Sequence, residues 1–266
     1  MWICIWVVVG FAMVALGPGL SLWTYGVKPL INIGGRQSQY TAAIRKSDAA
    51  YRAGDFAGAE SAAREAQGLY STSEAAGHLG RCLLAQHRLD ESEAQYRLAM
   101  RIDPTQAICA YNLGMICDYC GEKAEAERRY RQAMKLNPRL SEPVLALAYL
   151  LTPQGKYDEA ESLLEGARPL HPPGGSIEVG LGMVAIWKKQ YEKANGLFEQ
   201  AVKLAPQRGD VHAAHAYALV YLGRNEEALQ ALALAEKYGV EEPQTKTMMK
   251  QMREQLAPPG SPKSVR

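Results

Sequence analysis

Small residues return at fixed slots every 33 or 34 residues through most of this chain, and no other feature restricts its fold as much. Aligned on the stretch from Ala107 to Pro138, six copies begin near Tyr40, Ser73, Ala107, Ser141, Gly175 and Gly209. One slot is held by Ser47, Gly80, Gly114, Ala148, Gly182 and Ala216, and a second by Ala59, Ser92, Ala126, Ala160, Ala194 and Ala228. A third is alanine throughout: Ala66, Ala99, Ala133, Ala167, Ala201 and Ala235. Between the last two slots a large residue stands in five copies, Tyr96, Tyr130, Leu164, Phe198 and Leu232, with Ala63 in the first. Four copies close on a proline: Pro104, Pro138, Pro172 and Pro206.

Within the Ala107 copy, Ala110, Leu113, Gly114 and Cys117 fall at i, i+3, i+4 and i+7, one face of a helix. Gly121 breaks that helix, Ala126, Tyr130 and Ala133 build a second apolar face, and Asn137-Pro138 ends it. Each copy is therefore a helix hairpin. Gly114 and Ala126 lack bulk, so the two backbones approach closely while Tyr130 fills the wedge beside them. A helix of about 13 residues is marginal alone in water, so each hairpin must bury its face on its neighbours.

This pattern resembles the tetratricopeptide repeat, a 34-residue helix-turn-helix family, over residues 40 to about 240. The resemblance implies an all-α, right-handed superhelical solenoid of six repeats whose first helices line a concave groove. Two departures stand out. The family's large aromatic early in the first helix is replaced by Ala43, Ala76, Ala110, Val144, Glu178 and His212, and the first and last copies lack the closing proline. Chaperone-binding members hold a C-terminal carboxylate with Lys, Arg and Asn on three successive repeats. The aligned positions here are Gly77 and Arg81, then Asn112, then Glu142 and Ala146; only Asn112 matches, so capture of a free carboxylate is not expected.

The resemblance directs attention to groove residues not used in packing: Tyr111, Asn112, Met115 and Tyr119 in the third repeat, Tyr149 in the fourth, Met183 and Trp187 in the fifth, Tyr217 and Tyr221 in the sixth. Rings and thioethers offer large, adaptable contact area to a helix or an extended peptide. The competing reading of each residue is core packing inside its own repeat.

Outside the repeats, residues 2–27 carry no charge, and Trp2, Trp6, Trp23 and Tyr25 flank them. At ~1.5 Å per residue, Trp2 to Trp23 spans about 31 Å, a bilayer core. Residues 1–27 thus read as an uncleaved transmembrane helix in contact with the lipid bilayer, with a cleaved signal peptide as the alternative. Lys28, Arg36, Arg45 and Lys46 follow it, which places the repeats on the cytoplasmic side of a single-pass anchor. Residues 28–39, with a proline and the Gly34-Gly35 pair, read as a linker. Residues 241–256 read as a capping helix, with Met248, Met249, Met252 and Leu256 at helical spacing, and 257–266 as a disordered tail.

A net charge of +2 carries no nucleic-acid footprint. Five cysteines make no disulfide framework, Cys117 and Cys120 lack the context of a metal or redox site, and His212 with His215 lacks a third ligand. No catalytic motif appears, and no cofactor or metal is expected. The sequence points to a non-catalytic, membrane-anchored scaffold or assembly factor for protein or peptide partners. The alternative is a permanent structural subunit of a larger membrane complex, such as a secretion, pilus or energy-transducing assembly.

Overall fold

The structure, a computed structural model, describes residues 28–256 apart from 172 and 242. The expected membrane anchor (1–27) and tail (257–266), and the closing Pro172, lie outside the described residues. Among those described there are thirteen α-helices and no strand, and no helix is long and apolar enough to cross a membrane.

The chain divides into two compact units at Pro104 and Thr105. The first holds α1 (Lys28–Arg52), α2 (Phe56–Leu69), α3 (Ser73–Ala85) and α4 (Leu89–Ile102). The second holds α5 (Ala107–Tyr119), α6 (Lys123–Leu136), α7 (Ser141–Leu151), α8 (Tyr157–Ala167), α9 (Ser176–Trp187), α10 (Tyr191–Leu204), α11 (Gly209–Tyr221), α12 (Asn225–Tyr238) and α13 (Pro243–Leu256). Consecutive helices pair as hairpins, and α13 packs on α11 and α12 with Met249 and Met252 buried.

The recurring slots are the hairpin interiors. All six alanines of the third slot are buried, as are the small residues of the second. Tyr96, Tyr130, Phe198, Leu164 and Leu232 are buried between the helices, and burying each such side chain contributes roughly 1.5–3 kcal/mol. Where serine takes a small slot, its hydroxyl ties the hairpin together. Ser47 Oγ donates to Ala59 O at 2.9 Å, and Ser92 Oγ donates to Gly80 O at 2.7 Å. Every hairpin turns through one residue of positive φ: Gly54, His87, Gly121, Gly155, Lys189 and Gly223.

One expectation is corrected. Residues 28–39 are not a linker, because α1 runs unbroken from Lys28. Proline is tolerated in a first helical turn, and a glycine pair weakens a helix by only about 1 kcal/mol per residue. Tyr40, Ala43 and Ile44 anchor the later turns against Ala66 and Ala75. Tyr40 Oη donates to Glu74 Oε2 at 2.6 Å, and Arg36 Nη2 donates to Leu69 O at 3.4 Å.

Candidate partner-binding face

In the second unit, successive first helices (α5, α7, α9, α11) pack against one another more closely than successive second helices do, so the first-helix face is the inner side of that stack. The nine residues singled out from the sequence all lie on these four helices, and they fall into two groups by depth. Tyr111, Met115, Met183 and Tyr217 are half-buried and rest on the core that includes Leu147, Leu164, Leu181 and Phe198. Asn112 is also half-buried. Tyr119, Tyr149, Trp187 and Tyr221 are exposed, at 75%, 44%, 50% and 48%.

The half-buried group is held by specific neighbours. The Tyr111 ring lies 6.0 Å from that of Tyr130 at 37°. Burial and then the nearby Glu142 carboxylate push the Tyr111 phenol above its usual range. Tyr217 meets Tyr221 edge-on at 5.1 Å with 3.1 Å between hydroxyls. Burial first, and that hydrogen bond second, raise the Tyr217 phenol to about 12.

Tyr191 escaped the sequence reading. It opens the second helix α10, yet its ring stacks on Tyr221 at 4.8 Å and 7°, extending the aromatic surface across the repeat boundary. Tyr157 precedes it by one 34-residue period, and that recurrence was the available signal. A shallow open pocket beside Tyr191 is lined by Lys189, Gln190, Glu192, Lys193 and Leu222.

The other sequence candidates lie at packing and turn positions. Cys117 is buried in the hairpin and Cys120 is exposed at the turn, and among the described residues no group of His, Cys, Asp and Glu could hold a metal ion. His212 stacks on Tyr238 at 5.5 Å and its Nε2 lies 2.8 Å from Pro206 O. In the first unit, Arg81 pairs with Asp48 and lies over the Tyr51 ring at 4.3 Å.

Stacked helix hairpins of this kind form a scaffold-type fold for protein–protein interaction. Three family models, each described as tetratricopeptide repeat, match residues 37–107, 109–144 and 186–252. Together they span more than half of the chain, which belongs to the tetratricopeptide repeat family. Among solved structures, PilF of Pseudomonas aeruginosa is similar at 17% identity and a TM-score of 0.64, over 83% of this chain and 99% of that one. PilW, a widely conserved type IV pilus biogenesis factor, matches at 16% identity and a TM-score of 0.64, over 79% and 98% of the two chains. Yeast Tom70 matches at 18% identity and a TM-score of 0.65, over 81% of this chain and 46% of that one. At these identities the likeness shows the fold alone. Comparison with curated proteins gives no match.

Proposed function

We propose that this chain is a non-catalytic, membrane-anchored scaffold or assembly factor, and that the inner face of α5, α7, α9 and α11 is the groove in which it grips a protein or peptide partner. One observation carries the reading. Tyr119, Trp187 and Tyr221 hold one exposed slot in the third, fifth and sixth repeats, and one helical turn earlier Met115, Tyr149, Met183 and Tyr217 hold a second slot in four successive repeats, with Tyr149 exposed and the other three half-buried on the core. Such area is costly to leave in water and cheap in entropy to use, as a binding surface requires.

Residues 2–27 anchor the chain in the bilayer, with the repeats on the cytoplasmic side. The uncharged segment and the basic residues after it support this. The chain should then sediment with membranes until detergent is added, and protease should reach the repeats only from the cytoplasmic side. For the groove, the test is affinity purification from detergent-solubilised native membranes, with partners identified by mass. The variant Tyr149→Ala/Trp187→Ala/Tyr221→Ala should lose partners that the parent retains while keeping its helical circular dichroism. Unchanged recovery of the same partners would overturn the groove assignment.

A further inference from the structure

The four first helices of the second unit carry four acidic residues, Asp118, Glu142, Glu178 and Asp210, and no Lys or Arg. The first unit differs: Arg45, Arg52 and Arg81 lie on its first helices, so cation-free first helices are not a general demand of these hairpins. Two of the four acids are neutralised locally. Glu178 is buried with Arg168 Nε 3.5 Å away, and Asp210 accepts from Arg208 Nε at 3.1 Å. The other two, Asp118 and Glu142, form no salt bridge among the described residues, and Lys123 acts on Asp118 only at longer range.

Both lie in the aromatic stripe. Asp118 follows Met115 by three residues and Tyr111 by seven, and Glu142 precedes Tyr149 by seven, so each shares a helix face with the rings. Burial holds the Asp118 carboxyl above the usual carboxylate range, with Lys123 opposing. The field of Glu142 reaches Tyr111 on the neighbouring repeat. Of the two lysines that follow α9, Lys188 is bonded to Asp158 and Glu161 at 2.8 Å each, and Lys189 lines the pocket beside Tyr191. The face therefore combines two carboxylates outside any salt bridge among the described residues with the π faces of exposed tyrosines and Trp187, both of which attract cations.

We propose that this groove selects a cationic apolar segment, a protein stretch in which Lys or Arg is interleaved with large apolar residues. The apolar side chains sit on the rings and methionines, and the cationic heads reach Asp118 and Glu142. The inference rests on the groove reading and names the chemistry of its occupant. An acidic segment would meet like charge at Asp118 and Glu142, which is how electrostatics sets specificity.

The test uses the full-length chain in nanodiscs of uncharged lipid, with empty discs as the blank. Three labelled amphipathic peptides share the same leucines and carry lysine, glutamine or glutamate as the polar residue; binding is read by fluorescence anisotropy. The lysine peptide should bind at least about ten-fold more tightly than the glutamate peptide, and added salt should narrow that ratio. Asp118→Asn/Glu142→Gln should narrow it as well, leaving the glutamine peptide unaffected. Binding of all three peptides with equal affinity, or a ratio that the double variant leaves unchanged, would overturn the charge selection and leave the groove standing. If no peptide binds above the blank, the groove reading falls and the selection with it.

Discussion

The Cβ that Gly114 lacks would fall 2.6 Å from the Tyr130 ring, and the same relation holds between Gly182 and Phe198 at 2.5 Å and Gly80 and Tyr96 at 3.0 Å. Where the wedge is Leu164 or Leu232, the facing small residue is Ala148 or Ala216. Ring size in the second helix thus fixes the residue allowed in the first. Gly114→Ala should lower stability by about 1 kcal/mol, because overpacking of about 1–3 kcal/mol outweighs the roughly 1 kcal/mol gain in helix propensity. Gly114→Ala/Tyr130→Leu recreates the pairing of the fourth and sixth hairpins. Urea unfolding of the two single variants and the double should give a coupling energy of at least about 1 kcal/mol that favours the double.

The hairpin turns carry a second testable regularity. Four of the six positive-φ residues are glycine, whereas His87 (58°) and Lys189 (59°) pay the Cβ penalty of the left-handed region. His87→Gly and Lys189→Gly should each stabilise the fold by about 0.5–1 kcal/mol, once glycine's extra freedom in the unfolded chain is subtracted. Thermal unfolding measures this directly, and a fall in midpoint would show that neither turn is strained.

These cases mark what the sequence could and could not reveal. The small slots were legible because close helix approach excludes side chains in every copy, so the register survives where individual residues vary. The turn positions of His87 and Lys189 were not, since only glycine advertises positive φ. The helical start of α1 was hidden by Pro29 and the Gly34-Gly35 pair, and long-range anchoring at Tyr40 and Ile44 overrides that local signal. For the candidate face, periodicity set the side on which Tyr111 and Tyr149 lie but not their depth. Depth depends on the neighbouring hairpin, which rests on Tyr111 and leaves Tyr149 nearly half exposed. Tyr191 was missed because it reaches this face from a second helix.

His215 makes the second unit sensitive to mild acid. It occupies the position held by Leu113, Leu147 and Leu181 in earlier repeats, and its Nε2 lies 3.1 Å from Asn195 Oδ1. Asn195 Nδ2 donates to Glu199 Oε1 at 2.8 Å, so Oδ1 accepts and His215 carries its proton on Nε2. Burial lowers its pKa, the Glu199 and Glu227 carboxylates oppose this, and His212 and Arg224 reinforce it. A histidine held below its unfolded value binds its proton more readily in the unfolded chain. Stability should therefore fall as pH drops through about 6.5, with a slope of at most about 1.4 kcal/mol per pH unit for this group. His78, lowered mainly by burial, adds the same sign in the first unit. Glu127 and Glu161 are held low by Arg131 and by Lys188, so their contributions are lost only below about pH 4.5. His215→Gln keeps a donor for Asn195 and cannot titrate. Urea midpoints measured between pH 7 and pH 5 should be flatter for this variant than for the parent.

The depth of each aromatic residue also decides which substitutions report on binding. Tyr111 rests on the core and its ring faces Tyr130 at 6.0 Å, so Tyr111→Ala should cost about 2 kcal/mol through lost packing and a partial cavity. Tyr149→Ala and Trp187→Ala remove rings that are 44% and 50% exposed, and each should change stability by no more than about 0.5 kcal/mol. Tyr221→Ala stands between these, because it takes a stacked partner from Tyr191 and an edge contact from Tyr217, together worth about 1 kcal/mol. Denaturant titration of the four single variants should return this order. If Trp187→Ala proved as costly as Tyr111→Ala, its ring would be part of the hairpin packing, and a loss of partner binding in that variant would report on folding instead of recognition.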